Sequence, residues 1–238
     1  MNTIKTYFSL FMLVAVTSIF LSAQKDNNHS ITKNFDLDDF HSIGLGISAD
    51  VYVTQGNEQS VRVEGSAKDI ETLNTKVNNG SWRIKSNKKN YRYDKMTIYI
   101  TMKTLEAISI GGSGSIEGTN KFSNLDDLEL SIGGSGNIEL DFVADHVECS
   151  IGGSGTMKLD GTCNGLEISI GGSGDVKAFG LQTKTCEVSA AGSGDVQVSV
   201  SDDLQVSTVG SGDVEYKGNP RIESSTIGSG SVRKKGSM

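Results

Sequence analysis

Four glutamates, Glu129, Glu148, Glu167 and Glu187, recur at intervals of 19, 19 and 20 residues. Such spacing sets like side chains on successive layers of a repeating fold. With layers about 4.8 Å apart, neighbouring carboxylates repel by roughly 1 kcal/mol even at a water-like dielectric. A cation, or nearby lysines such as Lys158 and Lys177, would offset that repulsion. The chemistry open to this stripe is weak calcium binding by oxygen ligands; the plainer role is a solvated polar face that discourages pairing at sheet edges. A second set of carboxylates, Asp175, Asp195 and Asp213, directly follows Gly-Ser-Gly triplets and completes the calcium candidates. The order is close to that of calcium-binding nonapeptides, but here aspartate touches the glycine and the triplet returns only every 18 to 20 residues, about half as often as in those repeats. Aspartate capping a tight corner through local hydrogen bonds is the competing expectation. A third set is Ser109, Ser131, Ser150, Ser169, Ser189, Ser207 and Ser225. These hydroxyls either bond along a ladder or offer a flat polar stripe to sugar hydroxyls or a partner chain.

Other chemistry finds less support. His41 and His146 lie far apart with no serine or cysteine nucleophile motif between them, so an acid–base relay has no signal. A carbohydrate-active enzyme would need carboxylates or a basic residue in a cleft built by long insertions, whereas the returns here are short and regular. The glycine runs lack the lysine and helix that a phosphate-cradling loop requires. Cys149, Cys163 and Cys186 cannot all pair within one chain, match no zinc spacing, and read as small apolar fillers. A formal charge of −7 and a pI near 5.0 oppose a nucleic-acid partner. Arg233, Lys234 and Lys235 form the basic cluster at the tail. The expectation is a non-catalytic chain with no obligatory cofactor.

The elements that carry these residues are read from the repeat. The central serine of Gly-Ser-Gly falls at 113, 135, 154, 173, 193, 211 and 229, in steps of 22, 19, 19, 20, 18 and 18. Seven copies at this period imply a solenoid. Three residues before that serine stand Ile110, Ile132, Ile151, Ile170, Ala190, Thr208 and Thr226; three after it stand Ile116, Ile138, Met157, Val176, Val196, Val214 and Val232. The glutamates and serines occupy the intervening columns, and this alternation is the period of a half-buried strand. The predicted fold is all-β: a parallel β-helix, right-handed by the general rule for parallel crossovers, with coils of about 18–22 residues. Each coil is strand, Gly-Ser-Gly corner, strand and second corner. Glycine suits the corner because a sharp bend in a tight ladder needs positive φ or a missing Cβ.

Residues 1–23 read as a secretory signal peptide, with Lys5 as the charged start, Tyr7 to Leu21 as the apolar run and Ala23 at the cleavage position. Ser9, Thr17 and Ser18 break that run, which argues against a spanning helix, and no later segment is long and apolar enough to span. Residues 24–34 are assigned to a linker, 35–104 to an N-terminal cap with irregular first coils, and 105–235 to the regular β-helix. Within the cap, Ile70, Leu73 and Val77 have helical spacing and predict one short helix or turn across the end of the rod.

The stretch "FHSIGLGISADVYVTQGNEQSVRVEGSAKDIETLNTKVNNGSWRI", followed by the "SIGGSG" coils, resembles the head GIN-domain family of autotransporter adhesins, exported bacterial proteins of unproven role. The likeness covers about residues 35 to 235; Ile47-Ser48-Ala49-Asp50 stands where the family's naming tripeptide belongs. The resemblance implies a β-helical adhesin head and brings no catalytic residues. The expectation is an exported protein of the periplasm, outer envelope or exterior, with a glycan or protein ligand and the option of a homo-oligomer. The alternatives are a structural rod joined to protein partners and a carbohydrate-active enzyme.

Overall fold

Alternating Ile, Leu and Val against polar residues produces a β-solenoid of about seven turns, seen here in a computed structural model that describes residues 30–89 and 91–236. The signal-peptide assignment to 1–23 lies outside the described residues. The first segment contains β1 (Ser30–Phe35), β2 (Ser42–Leu45), β3 (Asp50–Gln55), β4 (Ser60–Ser66), helix α1 (Ala67–Ile70), β5 (Val77–Asn78), β6 (Ser81–Ile84) and β7 (Thr97–Met102). The regular layers follow as β8 (Ala107–Ile110), β9 (Ser115–Gly118), β10 (Phe122–Ile132), β11 (Asn137–Ile151), β12 (Thr156–Ile170), β13 (Asp175–Gly192), β14 (Val196–Gly210), β15 (Val214–Lys217), β16 (Arg221–Gly228) and β17 (Val232–Gly236).

The layers do not stack in chain order at the N-terminal end. Strand β2 pairs in parallel with both β6 and β8, and β3 with both β7 and β9, so the first layer of the chain is sandwiched between the second and the third. Beyond β7 the ladder turns antiparallel: β4 pairs with β7 and β1 with β4, while β5 pairs antiparallel with β6. These strands form the cap. Residues 30–34, assigned above to a linker, belong to β1, because Ile31, Lys33 and Phe35 alternate in register with Gly65, Val63 and Val61. The helical spacing at 70–77 yields a single turn. The Ser66 hydroxyl accepts a 3.2 Å hydrogen bond from the Asp69 N–H at its start, Ile70 and Leu73 are buried, and Val77 has already entered β5.

A second difference concerns the returns. Strands β11, β12 and β13 run for 15, 15 and 18 residues from one Gly-Ser-Gly corner to the next, so the second corner is a bend inside a continuous strand. Register shifts between Lys158 and Asp160 and between Ala178 and Gln182 absorb that bend, as bulges do.

The apolar positions three, five and seven residues before the corner serine fill the interior: Ile132, Ile151, Ile168, Val188 and Leu204 are all buried. The cap adds the buried Trp82, whose indole N–H donates to the Asn74 carbonyl at 2.9 Å. Cys149, Cys163 and Cys186 are free and buried in this core, and burial pushes all three thiols above the usual range. At the corner, a Cβ on Gly153 would lie 2.1 Å from the Gly134 carbonyl oxygen of the layer below. Close approach between layers is what demands glycine there. The adjoining Gly152 has nothing within 4 Å of such a Cβ. Its column accordingly changes to Ala191, Val209 and Ile227 in the last coils, where Val209 and Ile227 are 54% and 67% exposed.

Candidate functional site

Parallel pairing without slippage puts Glu129, Glu148, Glu167 and Glu187 directly above one another on β10 to β13, all exposed. Two residues earlier in each strand stand Asp127, His146, Gly165 and Thr185, also in register. A Cβ on Gly165 would approach His146 Nδ1 to 2.8 Å, so glycine leaves room for the imidazole to lie along the column. At the N-terminal end the wall is completed by Glu106, Asn124, Asp126 and Asp127. His41 closes on the rim, its Nδ1 2.6 Å from Glu106 Oε2.

The result is a groove of about 820 Å³ that runs across the layers. Seven carboxylates line it, those of Glu106, Asp126, Asp127, Glu129, Glu148, Glu167 and Glu187, and among the described residues no lysine or arginine does. The lysines expected to neutralise the glutamates lie on a different column. Lys158 pairs with Glu139, which raises the lysine's pKa, and Lys177 stands beside Lys158 in the ladder. The reason is positional: both follow the Gly-Ser-Gly corner, whereas the glutamates precede it. A cleft lined by one sign of charge focuses its field outward and concentrates ligands of the opposite sign.

The calcium candidates separate. Among the described residues no three His, Cys, Asp or Glu side chains converge well enough to hold a metal ion. The groove glutamates stand on separate layers, and the three aspartates are engaged in a corner ladder. Asp195 N–H donates to Asp175 Oδ1 at 3.0 Å, Asp213 N–H to Asp195 Oδ1 at 2.9 Å, and Ser231 N–H to Asp213 Oδ1 at 2.9 Å. Each carboxylate thus caps the corner of the next coil. The Ser231 hydroxyl and N–H, together with Arg233, hold the Asp213 carboxyl below its usual range. The serine column is in register as well, from Ser109 through Ser131, Ser150, Ser169, Ser189 and Ser207 to Ser225. It faces outward beside the glycine column, and Ser150, Ser169, Ser189 and Ser207 border a shallow depression with Ala191 and Val209.

Sequence reasoning found the glutamate column but missed Glu106, Asp126, Asp127 and His146. The available signal was positional: Glu106 stands seven residues before Ser113, and Asp127 stands eight before Ser135, the place that His146 takes before Ser154.

The fold and the groove define a β-solenoid rod with a one-signed cleft along one side. Residues 39–220 match the family described as "putative auto-transporter adhesin, head GIN domain", and the chain belongs to that family. Among solved structures it is similar to a "putative adhesin" from Bacteroides fragilis, at 24% identity and a TM-score of 0.79 over 87% of this chain and 97% of that one. A "putative lipid binding protein" from Parabacteroides distasonis is 30% identical, with a TM-score of 0.68 over 87% and 96% of the two chains. A "putative adhesin" from the same species is 24% identical, with a TM-score of 0.68 over 87% and 97%. No curated protein matches the chain.

Proposed function

We propose that this chain is an exported, non-catalytic binding module of the bacterial envelope, an adhesin-like rod that takes a positively charged ligand along its acidic groove. The carrying observation is that seven carboxylates and no lysine or arginine line a groove of about 820 Å³ among the described residues. Ligands of matching chemistry are amine-bearing glycans and basic protein segments. The family membership supports an adhesin role, and the charged start, apolar run and small residue at 1–23 support export. The length of the groove suits an extended ligand, since its walls come from six successive layers at about 4.8 Å each.

Residues 24–238 should be titrated by calorimetry with a chitosan oligosaccharide and with oligolysine, at low and high salt. The expected result is binding at low salt that weakens as salt screens the groove and is lost in Glu148→Gln/Glu167→Gln, while Asp195→Asn, outside the groove, leaves it intact. Failure of both probes at low salt, or equal binding by the glutamate variant, would refute the assignment. The relative described as lipid binding makes anionic and neutral vesicles the informative control; vesicle binding that ignores the glutamate variant would move the site elsewhere.

A further inference from the structure

The two ends of the rod differ. At the C-terminal end, among the described residues, β16 pairs only with β14 and β17 only with β15, so each offers a free edge. At the N-terminal end the outermost strand among the described residues is β1, which is antiparallel to β4, itself antiparallel to β7. Two reversals return β1 to the direction of β7, and parallel pairing through β3, β9 and the long strands carries that direction to β17. The first and last strands of this sheet therefore run the same way, and a parallel ladder can continue from one molecule to the next. A free edge is a template for such pairing.

Charge favours the same junction. Strand β17 carries Arg233, Lys234 and Lys235, all exposed, with no acid among its residues. Strand β1 and the residues after it carry Lys33 against the exposed Asp36, Asp38 and Asp39. Following the register strand by strand puts Lys234 in the column of Phe35 and brings Lys235 to the level of Asp36. The rest of the cap holds more lysine and arginine than acid, so the attraction is confined to this edge. On the opposite sheet β5 runs against β16 and has two residues, which leaves one sheet to carry the contact.

We propose that the rods associate head to tail, β1 of one copy adding in parallel to β17 of the next. The contact uses different surfaces on its two sides, and such heterologous contacts propagate into open filaments or close into rings. Arg233 and Lys235 already pair with Asp213 and Glu215 of the coil beneath, as a cation between two layers of acid would.

Sedimentation velocity of residues 24–238 at low salt should show a weight-average coefficient that rises with concentration without reaching a dimer plateau, and that returns to the monomer value at high salt. Lys234→Glu/Lys235→Glu makes both ends acidic and Asp36→Lys/Asp38→Lys makes both basic. Each variant alone should associate at least about tenfold more weakly, because like charges then face each other. Mixed in equal amounts, the two should assemble again in alternation, since every junction regains opposite signs. A monomer at all concentrations, a dimer that stops growing, or a mixture that stays dispersed would overturn the proposal. The salt series on the unmodified chain decides the matter if a variant misfolds, and neither outcome depends on the groove or its ligand.

Discussion

Adjacent glycines at one corner should respond in opposite directions to the same substitution. In Gly153→Ala the new Cβ would sit 2.1 Å from the Gly134 oxygen, well inside any ordinary contact, and the obstacle is backbone with no flexible end to swing away. The layers must separate locally. That separation strains the bonds from Ser154 N–H to the Gly134 oxygen at 3.0 Å and from Thr156 N–H to the Gly136 oxygen at 3.2 Å. An overpacked site costs about 1–3 kcal/mol and a lost ladder bond about 1–3 kcal/mol when its partners cannot reach water, so the expected loss is about 2–6 kcal/mol. Gly152 meets nothing within 4 Å and is not in the left-handed region. Gly152→Ala should be neutral or should stabilise by up to about 1 kcal/mol, by restricting the unfolded chain. Urea unfolding followed by circular dichroism measures both, with the midpoint reporting stability and the slope showing whether the transition has changed character. If Gly153→Ala unfolds at the urea midpoint of the unmodified chain, or Gly152→Ala is the worse of the two, close approach is not what keeps glycine at this corner.

The Asp213 and Glu215 carboxyls are held below their usual range, the first mainly by Ser231 and the second mainly by Lys235. Their depressed folded pKa values mean a stabilising contribution that is complete above the unfolded carboxylate range and lost as pH falls from about 4.5 through the folded values; Asp213→Asn with Glu215→Gln should flatten that acid limb in thermal melts. Glu148→Gln/Glu167→Gln removes the three neighbouring repulsions of the column and should raise stability by up to about 3 kcal/mol at low salt, a gain that disappears at high salt. The three buried thiols, all raised by burial, should react with a thiol-specific chromophore only in denaturant, where all three become titratable; rapid labelling of the native chain would refute their placement in the core.

The solenoid was legible because its signal is local and repeated. The Ile110 and Ile116 columns alternate with polar residues in each coil, and that period leaves a strand with one buried face as the only arrangement that hides them. Corner glycine was legible too, although the conformational reason applies only in the last coils, where Gly192, Gly210 and Gly228 have φ of +143°, +139° and +123°; in earlier coils the reason is contact between layers. The groove was half legible. Its glutamates share a column visible in the spacing, but Asp127 shares its column with His146, Gly165 and Thr185, and Glu106 is level with Leu128, so no repeated charge marks either.

Sequence alone determined which side chains face inward, which columns stack and where the corners fall, because alternation and repeat length are properties of neighbouring residues. Tertiary structure alone decided the order of the first layers, with β2 and β3 inserted between strands that come later in the chain. It also decided that Lys158 would pair with Glu139 and that, among the described residues, no lysine or arginine would line the groove. Both outcomes depend on how far the backbone turns between one column and the next and on which distant edge it then meets, and a residue's type records neither.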